Sequence, residues 1–162
     1  MWRFAAIAAL VTAMATPALA YERAVNPSCK LEAEANCNWG NLYRAKAKGL
    51  DLRDAAFLSA ILDEGDFEGA NFEQALMQLT YMRGGNFKNA NFTRAHMHAT
   101  KMQGANLEGA ILDHTNLTSS NMEGANLKGA SLKNAMLMNA KLSGATWIDG
   151  RVCAAGSIGE CK

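Results

Sequence analysis

The sequence predicts an all-β solenoid, a chain wound about five and a half times around a four-sided core. Two observations predict it. Every fifth residue from Leu42 to Trp147 is Leu, Phe, Met or Trp, with Ala47 the one exception among 22 positions. Two residues before each of these stands Ala, Gly, Ser or Thr in 21 of 22 cases, Leu50 being the exception. A five-residue period fits neither alternative fold. On a helix, five steps of about 100° move the apolar position by roughly 140° and scatter it around the cylinder. On a flat strand an odd period throws successive bulky residues onto opposite faces. A chain that turns a corner every five residues points the small and the bulky residue inward and the other three outward, and four such sides close a coil of twenty residues.

The corners have their own chemistry. Two residues after the bulky one, eight units carry Gly (Gly49, Gly69, Gly84, Gly104, Gly109, Gly124, Gly129, Gly144) and three carry Asn (Asn89, Asn134, Asn139), residues that tolerate a left-handed backbone. Asn or Asp precedes the bulky residue in ten units. Their short polar side chains can bond nearby backbone and hold a turn.

Folding the chain on a twenty-residue coil predicts which side chains stack. One inward column holds Phe67, Phe87, Leu107, Leu127 and Trp147; a second holds Leu52, Phe72, Phe92, Leu112 and Leu132; a third holds Leu62, Met82, Met102 and Met122. At a strand spacing of about 4.8 Å the rod is roughly 25 Å long.

The units Ala70-Asn71-Phe72-Glu73-Gln74, Ala105-Asn106-Leu107-Glu108-Gly109 and Ala125-Asn126-Leu127-Lys128-Gly129 resemble the pentapeptide-repeat family, with its alanine, Asn or Asp, leucine pattern. The resemblance covers residues 40–149. It implies a right-handed quadrilateral β-helix whose coils stack through backbone hydrogen bonds. The closing stretch from Trp147 through Cys153 to Cys161 is similar to the tail of exported members.

Export is also expected from the start of the chain. Residues 1–20 run from Arg3 through an apolar stretch, Phe4 to Ala15, to Pro17 and Ala18-Leu19-Ala20, the pattern of a signal peptide cleaved before Tyr21. The apolar stretch is short of the roughly 20 residues a membrane span needs, so no stable membrane insertion is expected after cleavage. The protein is thus expected to be periplasmic or secreted. All four cysteines follow the signal, and local disulfides Cys29–Cys37 and Cys153–Cys161 are the natural pairing in an oxidising compartment. Zinc is disfavoured because neither cysteine pair has a flanking histidine.

A solenoid exposes an unpaired core at each end, and caps prevent polymerisation. The expected organisation is therefore a signal peptide over 1–20, an N-terminal cap over 21–39 with Trp39, the β-helix over 40–149, and a C-terminal cap over 150–162 beside Trp147. One helical turn is expected after Ser28. Each nine-residue disulfide ring is expected to contribute about 2 to 3 kcal/mol.

Balanced charge, 16 basic and 15 acidic residues, argues against a polybasic nucleic-acid binder, and no nucleic-acid partner is expected. No nucleophile elbow, phosphate loop or HExxH motif is present, and Asp63, Glu64 and Asp66 read as a solvated corner, so no enzyme activity and no cofactor are expected. On one wall Lys48, Glu68, Lys88, Glu108 and Lys128 alternate in sign; on the next, Arg53 is expected near Glu73 and Asp113 near Lys133.

The fourth wall differs. Residues 55–59, 75–79, 95–99, 115–119 and 135–139 hold no Asp, Glu, Lys or Arg, whereas the other 85 residues of the repeat hold 22. Leu58, Leu76, Leu79, Met136 and Met138 are expected to point outward there, with Ile61 and Tyr81 at the adjoining corner, which makes this wall a candidate surface for a protein partner or a homodimer. His96 and His98 flank inward Met97, and with Met136 and Met138 they suggest a weak metal site. In register, however, His96 and Met136 are two coils apart, roughly 10 Å. A further alternative, mimicry of DNA toward a topoisomerase, follows from the resemblance; residues 40–149 carry 11 acidic and 11 basic side chains, not the strongly negative rod such mimicry needs.

Overall fold

A computed structural model describes residues 29–162; the expected signal peptide, its cleavage point and residues 21–28 of the expected N-terminal cap lie outside them. The chain turns every five residues, and parallel β-bridges join residues twenty apart without a break, from Asn36 with Ala56 to Asn126 with Thr146. The first wall carries residues 40–44 and their twenty-residue equivalents, the second 45–49, the third 50–54 and the fourth 55–59.

Backbone groups must find partners when water is excluded, and each five-residue unit shows how they do so here. The residue before the bulky one bonds down, as Leu76 N–H to Ala55 C=O at 2.9 Å, while the bulky residue bonds up, as Phe57 N–H to Leu76 C=O at 2.7 Å. The turn closes on itself, as Ala60 N–H to Phe57 C=O at 2.9 Å. One N–H remains, that of the residue after the bulky one. The Asn or Asp two positions earlier accepts it, as Asn91 Oδ1 does from Thr93 at 3.0 Å. The same asparagines also donate to one another between coils: Asn126 Nδ2 to Asn106 Oδ1 at 3.2 Å, and Asn106 Nδ2 to Asn86 Oδ1 at 3.2 Å. They therefore fasten the turn and the stack together.

The position two residues after the bulky one has positive φ in every unit from Glu34 to Gly144. Glycine and asparagine fill only part of that column. Arg94, Leu79 (φ 59°) and Ala99 (φ 56°) hold the same conformation, because the inter-coil bond from this residue, as Leu79 N–H to His98 C=O at 3.1 Å, imposes it whatever the side chain.

The core is a set of vertical columns. Phe67 stacks on Phe87 with centroids 5.3 Å apart and planes 3° from parallel, and Phe72 on Phe92 at 5.0 Å and 5°. Leu52, Leu62, Met82, Met102, Leu107, Leu112, Met122 and Leu127 are all fully buried. Leu132, Leu137 and Trp147 are only partly covered, since no complete coil follows them.

Both expected disulfides are present, Cys29–Cys37 and Cys153–Cys161. After Gly150 the chain reverses and pairs antiparallel with the last coil, through Thr146 with Val152 and Lys141 with Ile158. Cys153, Ser157 and Cys161 are buried beneath this tail.

Two expectations are corrected, the helical turn and the solvated Asp63, and that for Arg53 is refined. Residues 29–39 contain no helical turn; Glu32 to Ala35 form a tight turn with Glu34 at φ 60°, the same corner the repeat uses. Arg53 forms its ion pair within its own coil, with both oxygens of Asp51 at 2.8 and 2.6 Å, while Glu73, near it as expected, acts on the guanidinium through its charge alone. Asp63 is not solvated: it is buried and takes Arg83 through Nε at 3.0 Å, Nη2 at 2.6 Å and the backbone N–H at 2.7 Å. Of the alternating column, Lys48–Glu68 and Lys88–Glu108 form bridges at 2.9 and 3.1 Å.

Candidate interaction surface

The fourth wall is built by one ladder, Asn36–Ala56–Leu76–His96–Asn116–Met136, each joined to the next by a parallel bridge. The first rung is an addition to what the spacing suggested. Residues 35–39 pair with 56 and 58 through Cys37 N–H to Ala56 C=O at 2.7 Å and Trp39 N–H to Leu58 C=O at 2.9 Å. They contain no charged residue either, so the uncharged strip spans six layers and 30 residues.

Along this wall Leu76, Leu79, Met136 and Met138 are exposed, Met138 by 67%, and Trp39 by 59%. Leu58, and at the corner Ile61 and Tyr81, are half-buried. Trp39 sits in the same column as Leu79, since both occupy the left-handed corner position. The signal for its place was the small residue Ala35 and the inward Cys37, a unit in register with the repeat but masked by a cysteine where Leu or Phe is usual.

His96 and His98 are exposed. His96 lies between Leu76 and Asn116, which separates it from Met136 by one layer, so the structure does not bring the imidazole and the thioether together. Among the described residues no group of three or more His, Cys, Asp or Glu is placed to hold a metal ion.

Charge surrounds the wall without entering it. On the neighbouring first wall Glu64 accepts from Arg44 Nε at 2.8 Å and from the Tyr43 hydroxyl at 3.0 Å, and these donors hold its carboxyl below the usual range. Asp63 and Arg83 form the closed pair described above, with the Arg83 guanidinium 5.2 Å from the Tyr81 ring centroid. Asp63 with Arg83 and Glu64 with Arg44 are thus matched charges beside the strip.

These observations define a parallel four-sided solenoid of five-residue units with one uncharged wall. The family model for pentapeptide repeats matches eight copies over residues 35–74, 80–109 and 110–146, and the chain belongs to that family. Its members fold as right-handed quadrilateral β-helices and are generally non-catalytic interaction modules.

Among solved structures, the chain is similar to a pentapeptide repeat protein from the Arabidopsis thaliana thylakoid lumen, at 25% identity and a TM-score of 0.60, over 69% of this chain and 83% of that one. It is also similar to HetL of Nostoc sp. strain PCC 7120, a protein involved in regulating heterocyst differentiation, at 27% identity and a TM-score of 0.38, over 74% and 56%. QnrB1, a plasmid-mediated fluoroquinolone resistance protein, shares 16% identity at a TM-score of 0.48, over 66% and 64%. No curated protein sequence matches the chain. Among the described residues no helix is long and apolar enough to cross a membrane.

Proposed function

We propose that this chain is an exported, non-catalytic module that binds a protein, either a separate partner or a second copy, through its fourth wall. One observation carries the proposal: 30 consecutive-layer residues without a formal charge, on which Trp39, Leu76, Leu79, Met136 and Met138 stay exposed. Exposed apolar side chains gathered on one uncharged wall, Trp39, Leu76 and Leu79 in its first layers and Met136 and Met138 in its last, favour contact, and aromatic and Met side chains are the ones interfaces favour. The regular ladder beneath gives a rigid platform, so little ordering cost accompanies docking.

Export is supported by the signal-like first twenty residues and by two disulfides. The similarity to a thylakoid-lumen protein agrees with it. N-terminal sequencing of the chain recovered from periplasm or medium is expected to begin at Tyr21. The even charge of the rod gives no support to mimicry of DNA.

A photocrosslinking residue at position 79, introduced in the native host, tests the wall. Covalent adducts to one defined protein are expected, and they should vanish when Leu76→Lys is added. Adducts equal to those from position 128 on the charged second wall would overturn the proposal.

A further inference from the structure

Two histidines stand near the middle of the uncharged wall, in the fourth of its six layers. His96 and His98 flank Met97, which is fully buried, so the alternation of an extended backbone turns both imidazoles outward on one side of the chain. Three other units show how closely side chains at these two positions approach. Around Leu52, Arg53 reaches both oxygens of Asp51 at 2.8 and 2.6 Å. Around Phe92, the Thr93 hydroxyl donates to Asn91 Oδ1 at 2.6 Å, and around Met122, Asn121 Nδ2 donates to Glu123 Oε2 at 3.2 Å. The repeat thus lets three chemically different pairs of flanking side chains meet.

That separation is the bite of a metal chelate: two nitrogens about 2.0 Å from one ion, at right angles across it, lie roughly 2.8 Å apart. Both imidazoles are exposed, and among the described residues no hydrogen bond or ion pair engages either, so their ring nitrogens are open to a ligand. Leu76 and Asn116 are the ladder neighbours of His96, and Gln78 and Thr118 occupy the column of His98. The same columns bring side chains into contact between coils elsewhere, as Asn91 Nδ2 with Asn71 Oδ1 and Lys88 Nζ with Glu108 Oε1, both at 3.1 Å. The carboxamide oxygens of Asn116 and Gln78 therefore flank the pair one coil above and one below. Arg94 and Lys101, the nearest formal charges along the chain, belong to the adjoining third and first walls.

From this arrangement we infer that His96 and His98 chelate one divalent copper ion on the fourth wall. Imidazole nitrogens suit copper, which stands highest among the divalent first-row metals for a given donor set, and nitrogen with oxygen donors in a tetragonal plane is the geometry it prefers. The two imidazoles take adjacent corners of that plane, and water or the carboxamide oxygens of Asn116 and Gln78 take the others. Monovalent copper would call for thioethers, and Met136 and Met138 stand two layers along the wall. The site goes beyond docking to a protein and does not rest on it. A bound ion places a formal positive charge at the centre of a strip that otherwise has none from Asp, Glu, Lys or Arg.

Titration of the untagged chain, with both disulfides oxidised, by copper(II) chloride tests it, read by calorimetry and by electron paramagnetic resonance. One ion per chain is expected, bound in the micromolar range, with a tetragonal copper spectrum split by two imidazole nitrogens. Removing either donor abolishes chelation, so His96→Asn and His98→Gln should each weaken binding by at least about tenfold. His114→Gln, at a corner of the third wall, should leave it unchanged. Both imidazoles are exposed, so melting curves without copper should coincide for the variants and the unaltered chain, which separates lost binding from lost fold. Zinc chloride should bind more weakly than copper at the same site. No binding up to millimolar copper overturns the inference, as does an affinity unchanged when His96→Asn and His98→Gln are combined, or zinc held more tightly than copper.

Discussion

The ring of Phe87 occupies the space a β-carbon on Gly85 would need: placed there, that carbon lies 2.6 Å from Phe87 Cε2 and 3.3 Å from the Met82 carbonyl oxygen. Gly65 stands in the same relation to Phe67 one coil below. Where the bulky residue is Phe on this wall, the small residue must shrink to glycine, and the two positions are chosen as a pair. Gly85→Ala is therefore expected to destabilise by about 1 to 3 kcal/mol, the usual cost of overpacking. Phe87→Leu in the same chain should recover part of the loss, because Leu107 already fills the next layer of that column beside Ala105. Urea unfolding of both variants checks this, and a double variant weaker than the single one would refute the pairing.

A second prediction concerns the strained corners. Ala99 holds φ 56° with a β-carbon that disfavours it by about 1 to 2 kcal/mol, while glycine there would add roughly 0.5 to 1 kcal/mol of chain entropy to the unfolded state. Ala99→Gly should be stabilising by up to about 1 kcal/mol. Gly84→Ala, at φ 61°, should be destabilising by a similar amount. Paired melting curves decide both signs.

Acid should weaken the rod. Glu64 and Glu68 lie below their ordinary 4.5, held by Arg44 and Lys48 respectively, and Asp51 lies below 3.8 through Arg53. A carboxyl with a lowered folded-state pKa stabilises fully above its unfolded value and ceases to do so as the pH falls through the folded one. The melting temperature is thus expected to be flat from neutrality down to about pH 5 and to decline below it. All these pairs are exposed, so 1 M salt should flatten the decline. An unchanged melting temperature at pH 3 would argue that the pairs contribute nothing.

Removal of the C-terminal disulfide, as Cys153→Ser with Cys161→Ser, is expected to cost about 2 to 3 kcal/mol. It should also raise light scattering on storage. The tail is what covers half of the last coil's edge, and a looser tail exposes more of it. Equal stability with no added scattering would show that hydrogen bonding alone secures the cap.

How much of this was legible in the sequence differs by level. The columns were, because a strict period of five leaves one way to superpose Phe67 on Phe87 and Phe72 on Phe92. The uncharged wall was too, except for Trp39, whose unit hides its bulky position behind Cys37. Arg53 was not, since a coil-spaced partner and an in-coil partner such as Asp51 lie at comparable distances and the repeat alone does not rank them. Nor was the tail: residues 150–162 break the period, and only the folded chain shows that they run back along the coil they follow.

The asparagine relay from Asn86 through Asn106 to Asn126 treats every coil alike. A chain lacking residues 87–106 would place Asn126, carried on the same column, directly above Asn86, and the amide would find the same acceptor it finds now. Length in this molecule is accordingly adjustable in whole storeys of twenty residues, while both caps and the outline of each wall stay as they are.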